Sequence, residues 1–338
     1  MKLPLQLWLA CGLLCAQTSG LDVLNHNLPV LDAHNCYPYE GQWSDRLDRA
    51  LGVGYPVGIE QDLAWAIDKA TGKGRPVLSH RKETTSDEPM LRDYFFEHIR
   101  PLVEKALREN DRARWPLITV HFDFKDNRPE LLRAVWELLG DYEGWITTAP
   151  KTADPHTLAA WDVHPLLVLT EDNDAQEEVF FTSLPPGSRL RLFGSAHTAA
   201  PKASSREERA HLAATVPPEQ LLTEKPTNYR RWWNNSWAEV EEGGQSKAGV
   251  WTAADDARLR ALVNHAHRQG FWIRFYTLDG FTVDDHGWDQ GYNFGSREAA
   301  EFRWKAAIAA GVNLIATDQY EDLSKLIQAT QRSPAGRI

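Results

Sequence analysis

Apolar runs of strand length recur along the chain, and they alternate with segments whose apolar residues have helical spacing. Strands are predicted, in chain order, at 28–33, 55–59, 75–79, 117–125, 145–147, 166–170, 189–194, 271–276 and 312–318. Helices are predicted at 44–51, 92–110, 129–140, 251–269, 296–310 and 322–332. Strands that alternate with helices in this way are typical of a parallel sheet, because each helix returns the chain to the start of the next strand.

The number of strands favours one architecture. A turn signal at 71–74 predicts that the run at 75–79 forms a hairpin with the strand before it. The other runs amount to about eight strands, which favours an α/β fold with a single (β/α)₈ TIM-type barrel over a two-domain protein. An open doubly wound sheet is the alternative, but no glycine-rich phosphate loop follows the first strand.

The first twenty residues have the pattern of a secretory signal peptide. Lys2 supplies a positive charge, the stretch from Leu3 to Ala16 is almost entirely apolar, and small residues follow it. This apolar stretch is too short to span a bilayer. We therefore expect a signal peptide at 1–20, a barrel domain at 21–338, and a secreted or periplasmic location, with an uncleaved anchor as the alternative.

Charge and cysteine content limit what the protein can do. The net charge of −10 at pH 7 argues against nucleic acid as a partner, because nucleic-acid binding needs a basic surface. Cys11 and Cys15 fall within the predicted signal peptide, so only Cys36 would remain and no internal disulfide could form. We interpret Cys36 as a small packing residue near a strand end rather than as a reactive thiol.

Ionisable residues end or follow several of the predicted strands. In a barrel, the carboxyl ends of the strands meet at one mouth, so residues at these places surround a common site. Residues two apart on a strand point to the same face, which pairs Glu60 with Asp62 and Asp123 with Lys125. The residues predicted to share the mouth are His34, Glu60, Asp62, His80, Asp123 and Lys125.

These residue types predict acid–base chemistry next to a metal ion. Three converging carboxylates without thiolates favour one hard divalent cation, Mg²⁺ or Ca²⁺. Two histidines on separate strands can serve as general base and general acid on either side of a phosphorus or carbonyl centre. A lysine beside the cation would balance the charge of phosphate oxygens.

The same residues resemble the signature of a known superfamily. The order His34, Glu60-x-Asp62 and His80 is similar to the N-terminal signature of the phosphatidylinositol-phospholipase-C-like and glycerophosphodiester phosphodiesterase superfamily. The motif from His34 to Tyr37, with Asn35 in second place, is similar to the phospholipase C version.

Later segments extend this resemblance over most of the chain that follows the predicted signal peptide. Asp123-Phe124-Lys125 matches the later acidic-x-Lys strand of the superfamily. The stretch from Gly311 to Asp318 is similar to the last strand of glycerophosphodiesterases, and the stretch from Trp232 to Trp237 resembles the branch called altered-inheritance-of-mitochondria-6-like.

The resemblance implies a (β/α)₈ barrel that cleaves phosphodiesters, with His34 as base or nucleophile and His80 as acid. It implies that Lys125 binds phosphate. Asn35 stands where glycerophosphodiesterases have an arginine, so Arg274 or Arg81 is expected to supply that positive charge. The ligands implied for one Mg²⁺ or Ca²⁺ are Asn35, Glu60, Asp62 and Asp123.

Other functions stay open on the sequence alone. A barrel without catalysis could hold a lipid headgroup or glycan on the aromatic and amide segment 228–237, which we interpret as a loop on the barrel rim. The alternative is that this loop only packs on the rim, with Trp232 or Trp233 buried. A glycoside hydrolase could use Glu60 and Asp123, although the two histidines argue against it. Segment 284–289 is interpreted as a polar loop, with a second metal site as the alternative. We expect a monomer that acts on a small-molecule or lipid-headgroup phosphodiester, and we leave peripheral membrane contact open.

Overall fold

A computed structural model describes residues 22–25, 28–39, 41–84, 87–276, 278–282 and 292–332. The strands are β1 (Val30–Ala33), β2 (Val57–Ile67), β3 (Gly74–Leu78), β4 (Ile118–Phe124), β5 (Ala149–Pro150), β6 (Leu166–Thr170), β7 (Arg189–Leu190), β8 (Phe193–Ser195), β9 (Arg230–Ser236), β10 (Trp272–Tyr276) and β11 (Leu314–Thr317). Eight of them pair in parallel in the order β1-β2-β4-β6-β8-β9-β10-β11, and β11 pairs with β1 to close the barrel. The predicted (β/α)₈ fold is therefore confirmed.

Helices precede, connect and follow the barrel strands. They are α1 (Asp22–Asn25), α2 (Arg46–Gly52), α3 (Glu97–Glu109), α4 (Pro129–Asp141), α5 (Asp174–Glu177), α6 (Arg206–Thr215), α7 (Pro218–Leu221), α8 (Ala253–Gln269), α9 (Arg297–Ala310) and α10 (Tyr320–Arg332). A π-helical turn, Arg92–Phe96, leads into α3, and another, Glu178–Thr182, follows α5. None of the helices in these described ranges has the length and apolar character that crossing a bilayer requires.

Strand β4 shows how the sequence divides its side chains between two cores. Its residues alternate between an apolar set and a polar set, and nearly all of them are buried. The apolar set packs below the outer helices; Phe124, for example, lies 5.9 Å from Phe180 between ring centres. The polar set points into the barrel, where His121 contacts Trp232 on β9. Because side chains alternate along a strand, one face supports the fold and the other builds the site.

The predicted hairpin is confirmed. Strand β3 pairs antiparallel with the second half of β2, from Leu63 opposite Leu78 to Ile67 opposite Gly74. This arm extends the barrel wall and brings residue 80 back towards the mouth. A side chain at Gly74 would collide with the ring of Trp65, so the close approach of the two strands requires glycine there.

Three strand predictions were wrong. The run at 189–194 forms two strands, because β7 pairs antiparallel with β5 outside the barrel and only β8 belongs to the barrel. Of the other two errors, one is a predicted strand that does not form and one is a barrel strand that was missed. Residues 143–145 form a short 3₁₀ turn, and Ile146 makes only an isolated bridge to Leu166. The missing barrel strand is β9, which lies within the aromatic segment interpreted above as a rim loop. Trp232 and Trp233 are both fully buried, because one faces the barrel interior and the other the outer layer. A run of bulky residues here thus reflects a strand that is covered on both sides.

Cys36 is fully buried, and burial raises the pKa of its thiol well above the ordinary value. Both observations agree with a packing role. The predicted signal peptide at 1–20 and the segment 284–289 lie outside the described residues.

Candidate active site

The side chains predicted to share the barrel mouth lie around one cavity of about 430 Å³. His34 and Lys125 directly follow β1 and β4, and His80 comes just after β3. Glu60 and Asp62 lie within the half of β2 that pairs with β4, and Asp123 lies near the end of β4. Asp62 and Asn35 are buried directly beside this cavity. The predicted site residues that line it are His34, Glu60, His80, Asp123, Lys125 and Arg274.

Three carboxylates form a compact group at the floor of this cavity. Glu60, Asp62 and Asp123 each place an oxygen within 4.8 Å of the other two. The pairing of β2 with β4 explains this closeness, because it puts Asp62 opposite Asp123. Lys125 bridges them, with its Nζ atom 2.6 Å from Asp123 Oδ2 and 2.9 Å from Asp62 Oδ2.

The two oxygens of Asp62 differ sharply. Oδ2 accepts hydrogen bonds from the Tyr37 hydroxyl at 2.6 Å, from His80 Nδ1 at 2.8 Å and from Lys125 at 2.9 Å. Oδ1 is buried, yet it accepts no hydrogen bond from any residue that the structure describes. A buried carboxylate oxygen without a donor is costly, so Oδ1 is open to a positive ligand or to a hydrogen-bond donor.

The carboxylate group also carries more negative charge than its permanently charged neighbours balance. Two permanently charged side chains, Lys125 and Arg274, contact four carboxylates, namely Asp32, Glu60, Asp62 and Asp123. Burial and the charge of Asp62 raise the pKa of Asp123 to about 6, in spite of Lys125. A divalent cation would relieve this repulsion, and hard carboxylate oxygens are the ligands that Mg²⁺ and Ca²⁺ prefer.

His34 is oriented by Asp318. This residue was predicted to end the last strand, but no role was predicted for it. The Nδ1 of His34 donates to Asp318 Oδ1 at 2.7 Å, while its Nε2 lies 3.4 Å from Glu60 Oε2. Asp318 in turn pairs with the buried Arg46 at 2.9 Å. Burial lowers the pKa of His34, but Glu60 and Asp318 outweigh burial and raise it to about 9.

Asn35 lies between the two halves of the site. Its backbone has φ 49°, in the left-handed region that asparagine tolerates better than most residues. Its Nδ2 donates to Asp318 at 3.3 Å, and its Oδ1 lies 3.2 Å from the Tyr37 hydroxyl. The Asn35 side chain therefore contacts Asp318, which holds His34, and Tyr37, which holds Asp62.

His80 repeats the arrangement of His34. Its Nδ1 is held by Asp62 at 2.8 Å, as the Nδ1 of His34 is held by Asp318. The His80 side chain is 40% exposed, whereas that of His34 is 12% exposed. In both residues, a proton can be exchanged with a substrate only through Nε2, because a carboxylate occupies Nδ1.

Comparisons with known proteins give structural similarities only. No family model matches the sequence, and no curated protein matches it significantly. Two solved structures from Parabacteroides distasonis ATCC 8503 are similar. One, a glycerophosphoryl diester phosphodiesterase, is 13% identical, with 95% of each chain covered and a TM-score of 0.42. The other, a glycerophosphodiester phosphodiesterase, is 13% identical over 90% of this chain and 99% of that chain, with a TM-score of 0.45.

A protein of another description is similar to the same degree. The HPPK-DHPS of Plasmodium falciparum is 10% identical, over 90% of this chain and 47% of that chain, with a TM-score of 0.42. Since proteins of different descriptions reach the same similarity, the chemistry of this chain has to be argued from its own side chains.

Arg274 is buried at the centre of the site. It pairs with Asp32 through Nε, and its Nη2 donates to Glu60 at 3.2 Å. Its Nη1 donates to Asn234 Oδ1 at 3.0 Å. Each nitrogen thus has a protein partner, and Arg274 fixes Glu60 as well as lining the cavity.

Besides Asp318, two more residues of the site were missed in the sequence. Glu171 follows β6 directly and lines the cavity, so the strand-end rule would have found it. His121 lies two residues before Asp123 on the same face of β4. Its Nε2 is 2.6 Å from Glu171 Oε1, and its Nδ1 is 3.9 Å from Glu60 Oε1. His121 is buried below the cavity and joins these two carboxylates from beneath.

Proposed function

We propose that this chain is an exported, divalent-metal-dependent phosphodiesterase that cleaves a glycerophosphodiester or a phospholipid headgroup diester. The observation that carries the proposal is the pair of histidines, each held at Nδ1 by a carboxylate, beside a cavity floored by Glu60, Asp62 and Asp123. The resemblance of this motif to the phospholipase-C-like superfamily supports it, and so does the resemblance of Trp232–Trp237 to the altered-inheritance-of-mitochondria-6-like branch.

Asn35, Glu60, Asp62 and Asp123 would hold one Mg²⁺ or Ca²⁺. The orphaned Oδ1 of Asp62 and the raised pKa of Asp123 are the features that a cation would satisfy. When bound, such an ion reduces the negative charge of a phosphodiester and favours attack on phosphorus.

His34 would act as the general base. Its Nε2 takes the proton of the attacking hydroxyl, which belongs either to water or to the substrate itself, while Asp318 holds the ring and stabilises its positive charge. Glu60 raises the pKa of His34, so neutralising Glu60 brings this pKa down towards the range in which a base works.

His80 would act as the general acid. The P–O bond to the leaving alcohol breaks as the new bond to phosphorus forms, and Nε2 of His80 protonates the departing oxygen. Attack by water gives a phosphomonoester, whereas attack by a neighbouring hydroxyl of the substrate gives a cyclic phosphate. Both routes use the two histidines in the same way.

Lys125 and Arg274 would bind the phosphate. Lys125 bridges Asp62 and Asp123, and these acids would be occupied by the cation, so its ammonium group could turn to a phosphate oxygen. Arg274 would use the second hydrogen of Nη1 or Nη2, since each nitrogen already has one partner. The substrate is a small molecule or lipid headgroup, the protein is proposed to work as a monomer, and membrane contact is left to experiment.

The alternative of a binding protein depended on exposed aromatic side chains in segment 228–237. The three tryptophans Trp232, Trp233 and Trp237 are fully buried, so their rings cannot stack on a headgroup or glycan. A glycoside hydrolase would keep its activity after metal removal, which separates it from the proposal.

The test is hydrolysis of bis(4-nitrophenyl) phosphate by the purified chain. His34→Ala and His80→Ala should each lower the rate by about 10²–10⁴-fold, and a chelator should abolish it until Mg²⁺ or Ca²⁺ is restored. His98→Ala is the matched control, because His98 lies on α3 in an exposed ion pair with Asp48. Full activity of both active-site variants, or of the chelated protein, would contradict the proposal.

A further inference from the structure

Tyr37 occupies a position that links the proposed metal ligands to the proposed acid. Its hydroxyl donates to Asp62 Oδ2 at 2.6 Å and lies 3.2 Å from Asn35 Oδ1. It also lies 3.4 Å from Nδ1 of His80. The whole side chain is buried, so this hydroxyl contacts the protein interior rather than the substrate.

The contacts of Asp62 show what this hydroxyl does. Three donors converge on Oδ2, and they are Tyr37, His80 and Lys125. A carboxylate oxygen has about two lone pairs, so Oδ2 is saturated and cannot also bind a cation. Oδ1 is buried and receives no hydrogen bond from the residues that the structure describes. Asp62 is therefore prepared to bind through one oxygen only.

Tyr37 is the one donor of the three that has no other task in the proposed reaction. His80 would give the proton on its Nε2 to the leaving group while its Nδ1 stays on Oδ2, and Lys125 would turn to the phosphate. The Tyr37 hydroxyl keeps its bond throughout, because it is buried and meets no substrate atom.

We propose that Tyr37 is a positioning residue that fixes Asp62 as a one-oxygen ligand of the divalent cation. The inference rests on the proposed function, since it concerns the same cation. Partners that orient the ligands of a metal ion commonly contribute about 10- to 100-fold to its affinity. Without the hydroxyl, Oδ2 of Asp62 keeps only His80 and Lys125 as donors, and Oδ1 is held less firmly in place.

The test is calorimetric titration of the chelator-treated protein with Mg²⁺ or Ca²⁺ alone. Tyr37→Phe should bind the ion about 10- to 100-fold more weakly than the wild type. Tyr229→Phe is the matched control, because Tyr229 is equally buried but its hydroxyl makes no hydrogen bond with any described residue. This variant should bind the ion as the wild type does, because it also loses a buried tyrosine hydroxyl but not one that contacts Asp62.

A second readout separates positioning from general damage. Most of the activity that Tyr37→Phe loses on bis(4-nitrophenyl) phosphate should return when the ion is raised about 100-fold, because the variant lacks affinity rather than catalytic groups. A variant too unstable for calorimetry is measured instead by the rise in Tm that the ion produces. A smaller rise than in the wild type supports the role, and an equal rise contradicts it.

The outcomes also distinguish the two proposals. A wild-type protein that binds neither ion and does not cleave the diester overturns the proposed function. A wild-type protein that binds the ion, together with a Tyr37→Phe protein of unchanged affinity, overturns only the role of Tyr37.

Discussion

The metal-free protein should lose stability above neutral pH through one histidine. Burial lowers the pKa of His34, but Glu60 and Asp318 raise it to about 9, from 6.5 for an ordinary histidine. A histidine whose pKa is higher in the folded chain than in the unfolded chain stabilises the fold while it is protonated. This contribution is complete below the unfolded value of 6.5 and is lost as the pH rises through about 9.

The size of the effect follows from the same values. A rise from 6.5 to about 9 corresponds to roughly 3 kcal/mol, because one pKa unit is worth about 1.4 kcal/mol. We expect the free energy of unfolding of the wild type to fall by roughly 3 kcal/mol more than that of His34→Gln between pH 6 and pH 9. Urea denaturation of the chelator-treated proteins at both pH values measures this difference.

The comparison between the two proteins measures His34 together with Asp279, whose pKa burial and Asp318 raise to about 7 and whose charge acts on His34. Glu239 also titrates in this range, but it is present in both proteins and its effect cancels to first order. His98→Gln, which changes an exposed histidine, should follow the wild type. The same pH dependence for the wild type and His34→Gln would refute the argument that Glu60 and Asp318 hold His34 in its charged form.

Three further predictions concern separate features. Burial raises the pKa of Glu239 from 4.5 to about 8, so its ionisation costs stability as the pH rises from 4.5, and Glu239→Gln should be more stable than the wild type at pH 9 by roughly 5 kcal/mol in urea denaturation. Trp232→Ala removes a fully buried ring and should cost about 3–5 kcal/mol in the same assay. Asp318→Asn removes a group that raises the pKa of His34, so the acidic limb of the pH profile of kcat/KM should move to lower pH.

Each of these predictions has an outcome that contradicts it. A Glu239→Gln protein with wild-type stability at pH 9 would show that Glu239 ionises without cost. A loss below about 1 kcal/mol for Trp232→Ala would contradict the close packing of the barrel interior. An acidic limb at the same pH in Asp318→Asn and in the wild type would show that Asp318 does not set the pKa of the base.

The sequence predicted the parts of the site that depend on strand ends. Glu60, Asp62 and Asp123 could be placed together because strand alternation and parallel closure are general rules. These rules say which residues reach the mouth, and they need no knowledge of which strands are neighbours. The same reasoning missed Glu171 only because a single acidic residue after a strand is common and gives no distinct signal.

Contacts between distant strands could not be predicted in this way. The pairing of His34 with Asp318 joins the first and last strands, so it depends on closure of the barrel in the observed register. His121 is similar, because a histidine within an apolar strand is as compatible with a packed core as with an ion pair. Strand β9 was missed because its tryptophans, arginines and asparagines show no regular alternation of apolar and polar residues.

The central claim is that Glu60, Asp62 and Asp123 hold one divalent cation between His34 and His80. Anomalous diffraction from crystals soaked in Mn²⁺ tests it most directly. We expect a single peak within about 2.0–2.6 Å of an oxygen of each carboxylate, with Asp62 bound through Oδ1. A peak at the other acidic group, where Asp279 and Asp318 lie close to His34, or no peak at the three carboxylates, would contradict the account.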